Sequence, residues 1–439
     1  MKGQDLLRLE TQASSAALVA SSQASQGRGI VAKTKNGTFI FNGTIYWPIR
    51  NDGDGKNVFK QMLEHQDPAK VISNFVRDVE GDFSLLTIQD DDLLAARDPI
   101  GVETLYYGKN NSLEALASNR KALWKIDIED TKSFPPGNVG TFSRSGVYLK
   151  PVKFLTPSKP EFVSMDNSTE ILASLLKRSV QIRVCGEKKK VAVAFSGGVD
   201  SSIVAFLAKQ CVSNLELIHV SLANQPETKE AKEAARILDL PLKVFLYTQN
   251  DVEKAVLKVV NLIEDPDPVK ASVGIPFFWN AHQAAKLGIE ILLAGQGADE
   301  LFGGYQRYAI EYLRDGEEKV RETMFKDVTG IHESNIERDK KICNFFDIQL
   351  RLPFASFQIA EVSAKIPVEM KLEKKTGSLR KLVLRKAAQK MGLPNELSAR
   401  PKKAVQYSTG VNSALKRIAK KQNLTLKDYI KSLYDQSRK

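Results

Sequence analysis

Residues 191–202 read Val191-Ala192-Val193-Ala194-Phe195-Ser196-Gly197-Gly198-Val199-Asp200-Ser201-Ser202, an apolar run that stops in a Ser-Gly-Gly turn and releases into a helix-like stretch. The short, apolar, β-branched-rich run predicts a strand buried on both faces of a parallel sheet. Gly197 and Gly198 supply the tight turn, and their lack of side chains lets backbone N–H groups approach an anion. The helix that follows presents its unsatisfied N-terminal donors and the positive end of its dipole to the same point. The segment therefore predicts strand, phosphate-binding loop and helix, with Ser196, Gly197, Gly198, Val199, Ser201 and Ser202 in the cradle. Asp200 would repel a phosphate there unless a divalent cation bridged them, so it marks a Mg²⁺ site. No Lys precedes the Ser pair, so this is not a Walker-type loop.

At 439 residues and 42% hydrophobic content the chain can bury a full core and form two domains. There is no continuous apolar run of membrane-spanning length and no secretory-type leader, which predicts a cytoplasmic protein with no membrane partner. Cys185, Cys211 and Cys343 are too few and too scattered to predict a disulfide framework or metal knuckle. His65, His219, His282 and His332 show no zinc-type spacing and read as ordinary surface or packed histidines. The net charge of +12 invites a nucleic-acid partner. Its Lys/Arg runs, such as Lys188-Lys189-Lys190, lack interleaved aromatics and read as solvated faces, so a nucleic-acid partner is not expected.

Residues 1–26, rich in Ser, Ala and Gln, read as a disordered arm. From 27 to 155, short apolar segments alternate with turn signals such as Asn42-Gly43, Glu80-Gly81-Asp82 and Pro135-Pro136-Gly137, predicting a β-rich domain. Pro151, Pro157 and Pro160 mark an extended connection. Over 160–439 the pattern changes to strands alternating with amphipathic helices. Strands are predicted at Leu215–Leu222, Lys243–Tyr247 and Ile289–Ala294, with a helix over Lys229–Leu238. The last strand runs into Gly295-Gln296-Gly297-Ala298-Asp299-Glu300-Leu301-Phe302-Gly303-Gly304-Tyr305. Right-handed crossovers would bring this loop and the Ser196 loop to one sheet edge and one pocket.

The Ser196–Ser202 string resembles the pyrophosphate loop of the N-type ATP pyrophosphatases. The chain beyond the arm is similar to the asparagine synthetases of the glutamine-dependent type, through that loop, Gly295–Tyr305, Asn335-Ile336-Glu337-Arg338-Asp339, Arg351-Leu352-Pro353-Phe354 and Arg400-Pro401-Lys402 in order. The resemblance implies an α/β domain with a parallel sheet, ATP as nucleotide and Mg²⁺ held by Asp200 and Asp299. It also places Ser221, Gly295 and Gln296 with the nucleotide, and gives Lys402 the role of stabilising charge on an acyl-adenylate. The implied reaction adenylylates a carboxylate, aspartate foremost, releases pyrophosphate and passes the acyl group to ammonia. A homodimer is compatible with the sequence. Arg351 is assigned a supporting role.

Four residues depart from the family pattern. Gln349 and Ala355-Ser356 replace a Glu and a Leu-Asp around Arg351, which unsettles substrate contacts there. Gln296 stands where many relatives carry Glu, and Gln cannot act as a base.

Residues 28–150 resemble a class II glutamine amidotransferase domain through Phe41–Tyr46, Glu80–Phe83, Arg97–Gly101, Ala117-Ser118 and Phe134–Gly137. The resemblance implies an αββα sandwich of the Ntn-hydrolase type. Such domains use an N-terminal Cys whose own amine is the base. Position 2 is Lys2 and no cysteine precedes Cys185, so glutaminase activity is not expected. The alternatives are a specialised amide-forming ligase of the β-lactam synthetase kind, which closes an amide within one substrate, and a tRNA-modifying ATP pyrophosphatase, against which the isolated cysteines weigh.

Overall fold

The computed structural model describes residues 6–10, 17–21, 29–34, 37–48, 67–89, 92–143, 145–162, 164–374, 379–400 and 409–438. The chain divides into two compact units, Met1–Leu155 and Thr156–Lys439.

In the first unit, β1 (Leu6–Glu10) and β2 (Ala17–Ser21) form an antiparallel pair. The composition of residues 1–26 predicts a disordered arm. Instead, the two apolar islands of that segment satisfy one another's backbone groups in a ladder. Strands β3 (Gly29–Thr34), β4 (Gly37–Trp47), β5 (Glu80–Gln89) and β6 (Asp92–Arg97) continue the unit. Three shorter strands, β7 (Tyr106–Lys109), β8 (Glu114–Ala117) and β9 (Thr131–Ser133), make a separate sheet. With β10 (Asn138–Ser143) and β11 (Gly146–Pro151), the longer strands form a six-stranded antiparallel sheet ordered β11-β10-β6-β5-β4-β3.

Helix Pro68–Asp78 starts where the Asp67 side chain accepts from Lys70 N–H and Pro68 takes a first-turn position that needs no donor. Its Ile72, Phe75 and Val76 pack on Phe39, Phe41, Phe83 and Leu85 of the large sheet. A second cluster joins Ala95, Leu105, Phe134 and Phe142 with Tyr107 and Leu116 of the small sheet. Beyond it, Leu123 of the short helix Arg120–Trp124 meets Tyr106. The layers are thus helix, sheet, sheet, helix, the αββα order implied by the resemblance.

Arg97 and Asp98 brace the turn that follows β6. The buried Arg97 guanidinium donates to the carbonyls of Gly101, Glu103 and Phe134 at 2.6–2.8 Å, and Asp98 accepts from the N–H groups of Gly101, Val102 and Glu103. Asn42 Nδ2 donates to Glu103 Oε2 at 3.1 Å. Lys2 lies outside the described residues.

The second unit is built on a five-stranded parallel sheet of β12 (Val191–Ala194), β13 (Leu215–Leu222), β14 (Leu242–Tyr247), β15 (Ile291–Leu293) and β16 (Gln349–Arg351). The order is β14-β13-β12-β15-β16, with every neighbouring pair parallel. Successive strands are added outward from β12 on one side and from β15 on the other, so the direction of winding reverses between them. Ligands of such sheets bind outside the carboxyl ends at this switch point. Residues 191–193 and 291–293 are fully buried, as expected of central strands covered on both faces.

Helix Val199–Lys209 follows β12 directly, with Gly198 as its cap residue and no side-chain cap bond. Gly197 is at φ +76°, and a Cβ there would stand 2.9 Å from Ala231 Cα, so the turn requires glycine on both counts. Helix Pro226–Leu238 replaces the predicted 229–238 helix with one turn more at its start.

The cysteines differ from expectation. Cys185 and Cys211, distant in sequence and without a recognisable spacing, are joined in a disulfide with Cα atoms 4.7 Å apart, while Cys343 is buried outside that bond. The pair lies just past the ends of helices Met165–Val184 and Val199–Lys209, and neither residue lines the cavity described below. No helix among the described residues is long and apolar enough to cross a membrane.

Candidate active site

A cavity of about 770 Å³ opens at the carboxyl ends of β12, β13 and β15. Of the residues singled out in the sequence, Ser196, Asp200, Ser201, Gly295, Gln296 and Asp299 line it. The turn is held closed by its own hydroxyls: Ser196 and Ser201 Oγ are 3.2 Å apart, Gly198 N–H donates to Ser196 Oγ, and Ser196 N–H donates to Ser201 Oγ. Other residues of the loop play an interior role. Val199 packs in the core, and the Ser202 and Ser221 side chains are fully buried with hydroxyls that find no partner among the described residues. His219 and Val220, rather than Ser221, bring the end of β13 to the cavity. Lys402 lies outside the described residues.

Asp200 and Asp299 enter from the first turns of two helices, Val199–Lys209 and Ala298–Phe302. Between them stands Lys381, which no motif in the sequence marks out. Its fully buried ammonium is 2.6 and 2.7 Å from the two Asp200 oxygens and 2.7 Å from Asp299 Oδ1. Lys381 takes φ +62°, a left-handed conformation uncommon for a residue with a Cβ, at the residue that opens helix Leu382–Met391. Gly304 makes room for the cluster, because a Cβ there would lie 1.8 Å from Asp299 Oδ1 and 2.4 Å from Lys381 Cε.

The donor set suits Mg²⁺. That ion is usually held by one or two carboxylates together with substrate phosphates, not by an all-protein cage. The two aspartate side chains, 15% and 17% exposed, offer hard oxygen ligands at the rim of the phosphate-type loop. No cluster of three or more metal-binding side chains occurs among the described residues.

A second network forms another wall of the cavity. A π-helical turn, His332–Ile336, leads into helix Glu337–Phe345 and carries Asn335, Arg338 and Asp339 inward. Arg338 grips Asp339 through both oxygens at 2.7 and 3.0 Å and donates to Asn335 Oδ1 at 3.1 Å. Asn335 Nδ2 donates to Glu300 Oε1 at 2.6 Å, and the Tyr305 hydroxyl donates to the same oxygen at 2.6 Å. Gln296 Nε2 donates to Asp339 Oδ2 at 2.5 Å. Burial pushes the Asp339 carboxyl up, against the pull of Arg338 and the Gln296 amide. Burial, then the neighbouring Asp299 charge, pushes Glu300 up, while Tyr305 holds it down in part. His219 shares the cavity wall but is occupied: burial pushes its pKa down, and its ring nitrogens contact Phe195 O and Thr228 Oγ1.

Arg351 is placed elsewhere. Its guanidinium donates to Glu187 Oε2 at 2.9 Å, to Gln349 Oε1 at 2.8 Å and to the Arg183 carbonyl, and it does not line the cavity. Gln349 is a partner of this structural arginine, so its departure from the family pattern does not bear on the cavity.

The sequence comparisons agree with this geometry. The family model described as asparagine synthase matches residues 172–317 and 311–437, and one described as a glutamine amidotransferase domain matches residues 16–125. The chain belongs to the asparagine synthase family. Membership makes it a carbon–nitrogen ligase by family. It is similar to a putative glutamine-hydrolysing asparagine synthetase 1 of Methanocaldococcus jannaschii, 31% identical over 381 residues, 76% of this chain and 69% of that protein. It is also similar to a glutamine-hydrolysing asparagine synthetase of Triphysaria versicolor, 29% identical over 358 residues, 77% of this chain and 59% of that protein. The chain therefore spans about three fifths to two thirds of the length of these relatives. A solved NH3-dependent NAD synthetase from Campylobacter jejuni matches distantly, at 14% identity and TM-score 0.29, over 63% of this chain and 95% of that one.

Proposed function

We propose that this asparagine synthase family member is an AMP-forming amide ligase that converts a carboxylate, aspartate's β-carboxylate foremost, to its amide with ammonia. The observation that carries the reading is the meeting of the Ser196–Ser201 turn, Asp200 and Asp299 around one cavity at the switch point of the parallel sheet. In the first step a carboxylate oxygen attacks the α-phosphorus of ATP, and pyrophosphate leaves with the electrons of the broken P–O bond. In the second, the nitrogen lone pair attacks the acyl carbon, AMP leaves, and one proton passes to water.

The turn's backbone N–H groups and the dipole of helix Val199–Lys209 orient the phosphates. Asp200 and Asp299 would hold Mg²⁺, which supplies positive charge to the phosphate oxygens when bound. Lys381, in contact with both carboxylates, offsets part of their negative charge. Lys402 is proposed to offer charge to the adenylate, a contribution of about 3–4 kcal/mol for one well-placed donor. Ammonia as the nitrogen donor is part of the same proposal. A cytoplasmic setting and a second copy of the chain as partner belong to the same proposal.

The test is pyrophosphate release from ATP across a panel of amino acids, with ammonia or glutamine as donor. Release dependent on aspartate and ammonia, lost by at least about a hundred-fold in Asp200→Ala, is the expected result. Release with no carboxylate dependence would refute the reading.

A further inference from the structure

Helix Gln306–Asp315 follows the Gly303-Gly304-Tyr305 turn, and Arg307 in its first turn lines the cavity together with Asp327 of helix Glu317–Thr329. Arg307 Nη2 donates to Asp327 Oδ2 at 2.7 Å, and the Tyr308 hydroxyl donates to the same oxygen at 2.6 Å. Burial, then the bond to Asp327, pushes the Tyr308 hydroxyl up, so it stays a donor. The guanidinium carbon lies 4.7 Å from the centre of the Tyr305 ring and 5.3 Å from that of Tyr308, which is itself fully buried among Tyr312, Val320 and Met324. Two rings and one carboxylate thus hold the plane of a long side chain, which lowers the entropy it loses on taking a ligand.

The pair is held but not used up. The Arg307 side chain is 61% exposed and that of Asp327 26%. A guanidinium carries five N–H donors, and this contact joins one nitrogen to one oxygen. Asp327 receives both bonds on Oδ2, and Oδ1 takes neither. Other cations of the cavity are committed: Lys270 pairs with Asp265 at 2.6 Å, Arg338 grips Asp339, and Arg380 adjoins Lys381 of the Asp200–Asp299 cluster. Arg307 and Asp327 bond to neither the Ser196–Ser201 turn nor that cluster. A cation and an anion side by side on one cavity wall are the complement of a zwitterion.

We propose that Arg307 and Asp327 are the specificity-determining pair for the carboxylate substrate, Arg307 binding the α-carboxylate and Asp327 the α-ammonium of a free amino acid whose side chain bears the carboxyl group to be activated. The proposal rests on the ligase reading above and narrows its substrate class. Guanidinium and carboxylate meet through parallel N–H donors, which orients as well as binds. An acid blocked at either α-group, including a residue within a peptide, is rejected. No bond forms or breaks at this pair, which only sets where the side-chain carboxyl lies.

Pyrophosphate release with aspartate, its α-amide and succinate as the carboxylate reads both contacts. The α-amide lacks the α-carboxylate and succinate lacks the ammonium, while both keep the carboxyl group that is activated. If glutamate is the better substrate, its α-amide and glutarate serve in the same way. Wild-type protein that releases no pyrophosphate with any carboxylate would sink the ligase reading, and this proposal with it. Wild-type protein that works best on an acid with no α-amino-acid group, or equally well on all three compounds, would leave the ligase reading standing and overturn the proposal.

The expected wild-type preference is about 10–100-fold for each missing group, the worth of one hydrogen bond to a charged partner. Arg307→Met should raise the KM for aspartate by a similar factor and leave the KM for ATP within about three-fold. Because the substitution also takes a partner from Asp327, the deciding readout is the ratio of kcat/KM for aspartate to that for its α-amide. If Arg307 meets the α-carboxylate, that ratio collapses to about three or less in Arg307→Met, since removing either partner removes the same contact. Asp327→Asn should collapse the aspartate-to-succinate ratio in the same way. A structural role would lower all three substrates together and keep both ratios, and a contact to the phosphates would raise the KM for ATP instead; either result overturns the proposal.

Discussion

Replacing Lys381 by Met removes a buried ammonium that faces both Asp200 and Asp299 and leaves the two partly buried carboxylates without it. At an effective dielectric of about 20, an ammonium and a carboxylate 2.7 Å apart attract by roughly 6 kcal/mol, most of which is cancelled by desolvation of the charges. Breaking such a cluster from one side costs about 3–5 kcal/mol, because the remaining charges stay buried. Exposure of 15% and 17% at the two aspartates argues for the lower end of that range. A loss of about 3 kcal/mol lowers the melting temperature of a unit this size by roughly 5 °C.

Thermal unfolding without divalent cations measures the effect directly. Adding Asp200→Asn and Asp299→Asn to Lys381→Met removes the stranded charges and should recover most of the loss, a non-additivity expected of one contact cluster. Mg²⁺ should stabilise Lys381→Met more than wild type, because the carboxylates no longer share an ammonium. A Lys381→Met protein that melts within about 1 °C of wild type, with no gain from the added Asn substitutions, would refute the reasoning.

Two further outcomes follow from groups outside the cavity. Lys371 is fully buried and donates to Ser363 O at 2.6 Å, and burial pushes its ammonium down to about 7. Because the folded pKa lies below the unfolded one, wild-type stability should climb as pH rises from about 7 to about 10.5, and the full penalty, of order 4–5 kcal/mol at most, applies below that window. Lys371→Met should flatten this slope and be the more stable protein at pH 6; denaturant unfolding at pH 6 and pH 9 checks both, and parallel pH curves would contradict it. The Cys185–Cys211 bond closes a loop of sequence separation 26, so Cys185→Ser with Cys211→Ser should cost about 3 kcal/mol by unfolded-state entropy. Equal unfolding midpoints for the oxidised and the double-substituted proteins would show that the bond contributes nothing.

The parts of this fold that the sequence makes legible are those written in local patterns. The apolar run at 191–195 and the glycines after it specify strand, turn and helix within a dozen residues, and β13, β14 and β15 fall within two residues of their predicted bounds. Asp200 and Asp299 are legible for the same reason, since each sits in a glycine-bearing loop after a strand. Lys381 is not, because it reaches Asp200 from 181 residues away and nothing in its own neighbourhood calls for a buried charge. The one available signal was indirect: two facing carboxylates need a counter-charge, and the chain has many lysines. Gln349 was legible as a departure but not in its consequence, which depends on Arg351 pointing toward Glu187. Ser221 stands at a strand end, but its side chain is buried and His219 and Val220 line the cavity instead, a distinction that strand alternation, which puts 219 and 221 on one face, does not make. The disulfide, likewise, joins residues with no shared local pattern.

The central claim is that the cavity forms an acyl-adenylate, and oxygen transfer tests it most directly. Aspartate labelled with ¹⁸O in its β-carboxylate, incubated with ATP, Mg²⁺ and ammonia, should yield AMP carrying one labelled oxygen, since the bond broken in the second step joins the acyl carbon to that oxygen. Amide formed with no label in AMP, or label found only in inorganic phosphate alongside ADP, would contradict the account.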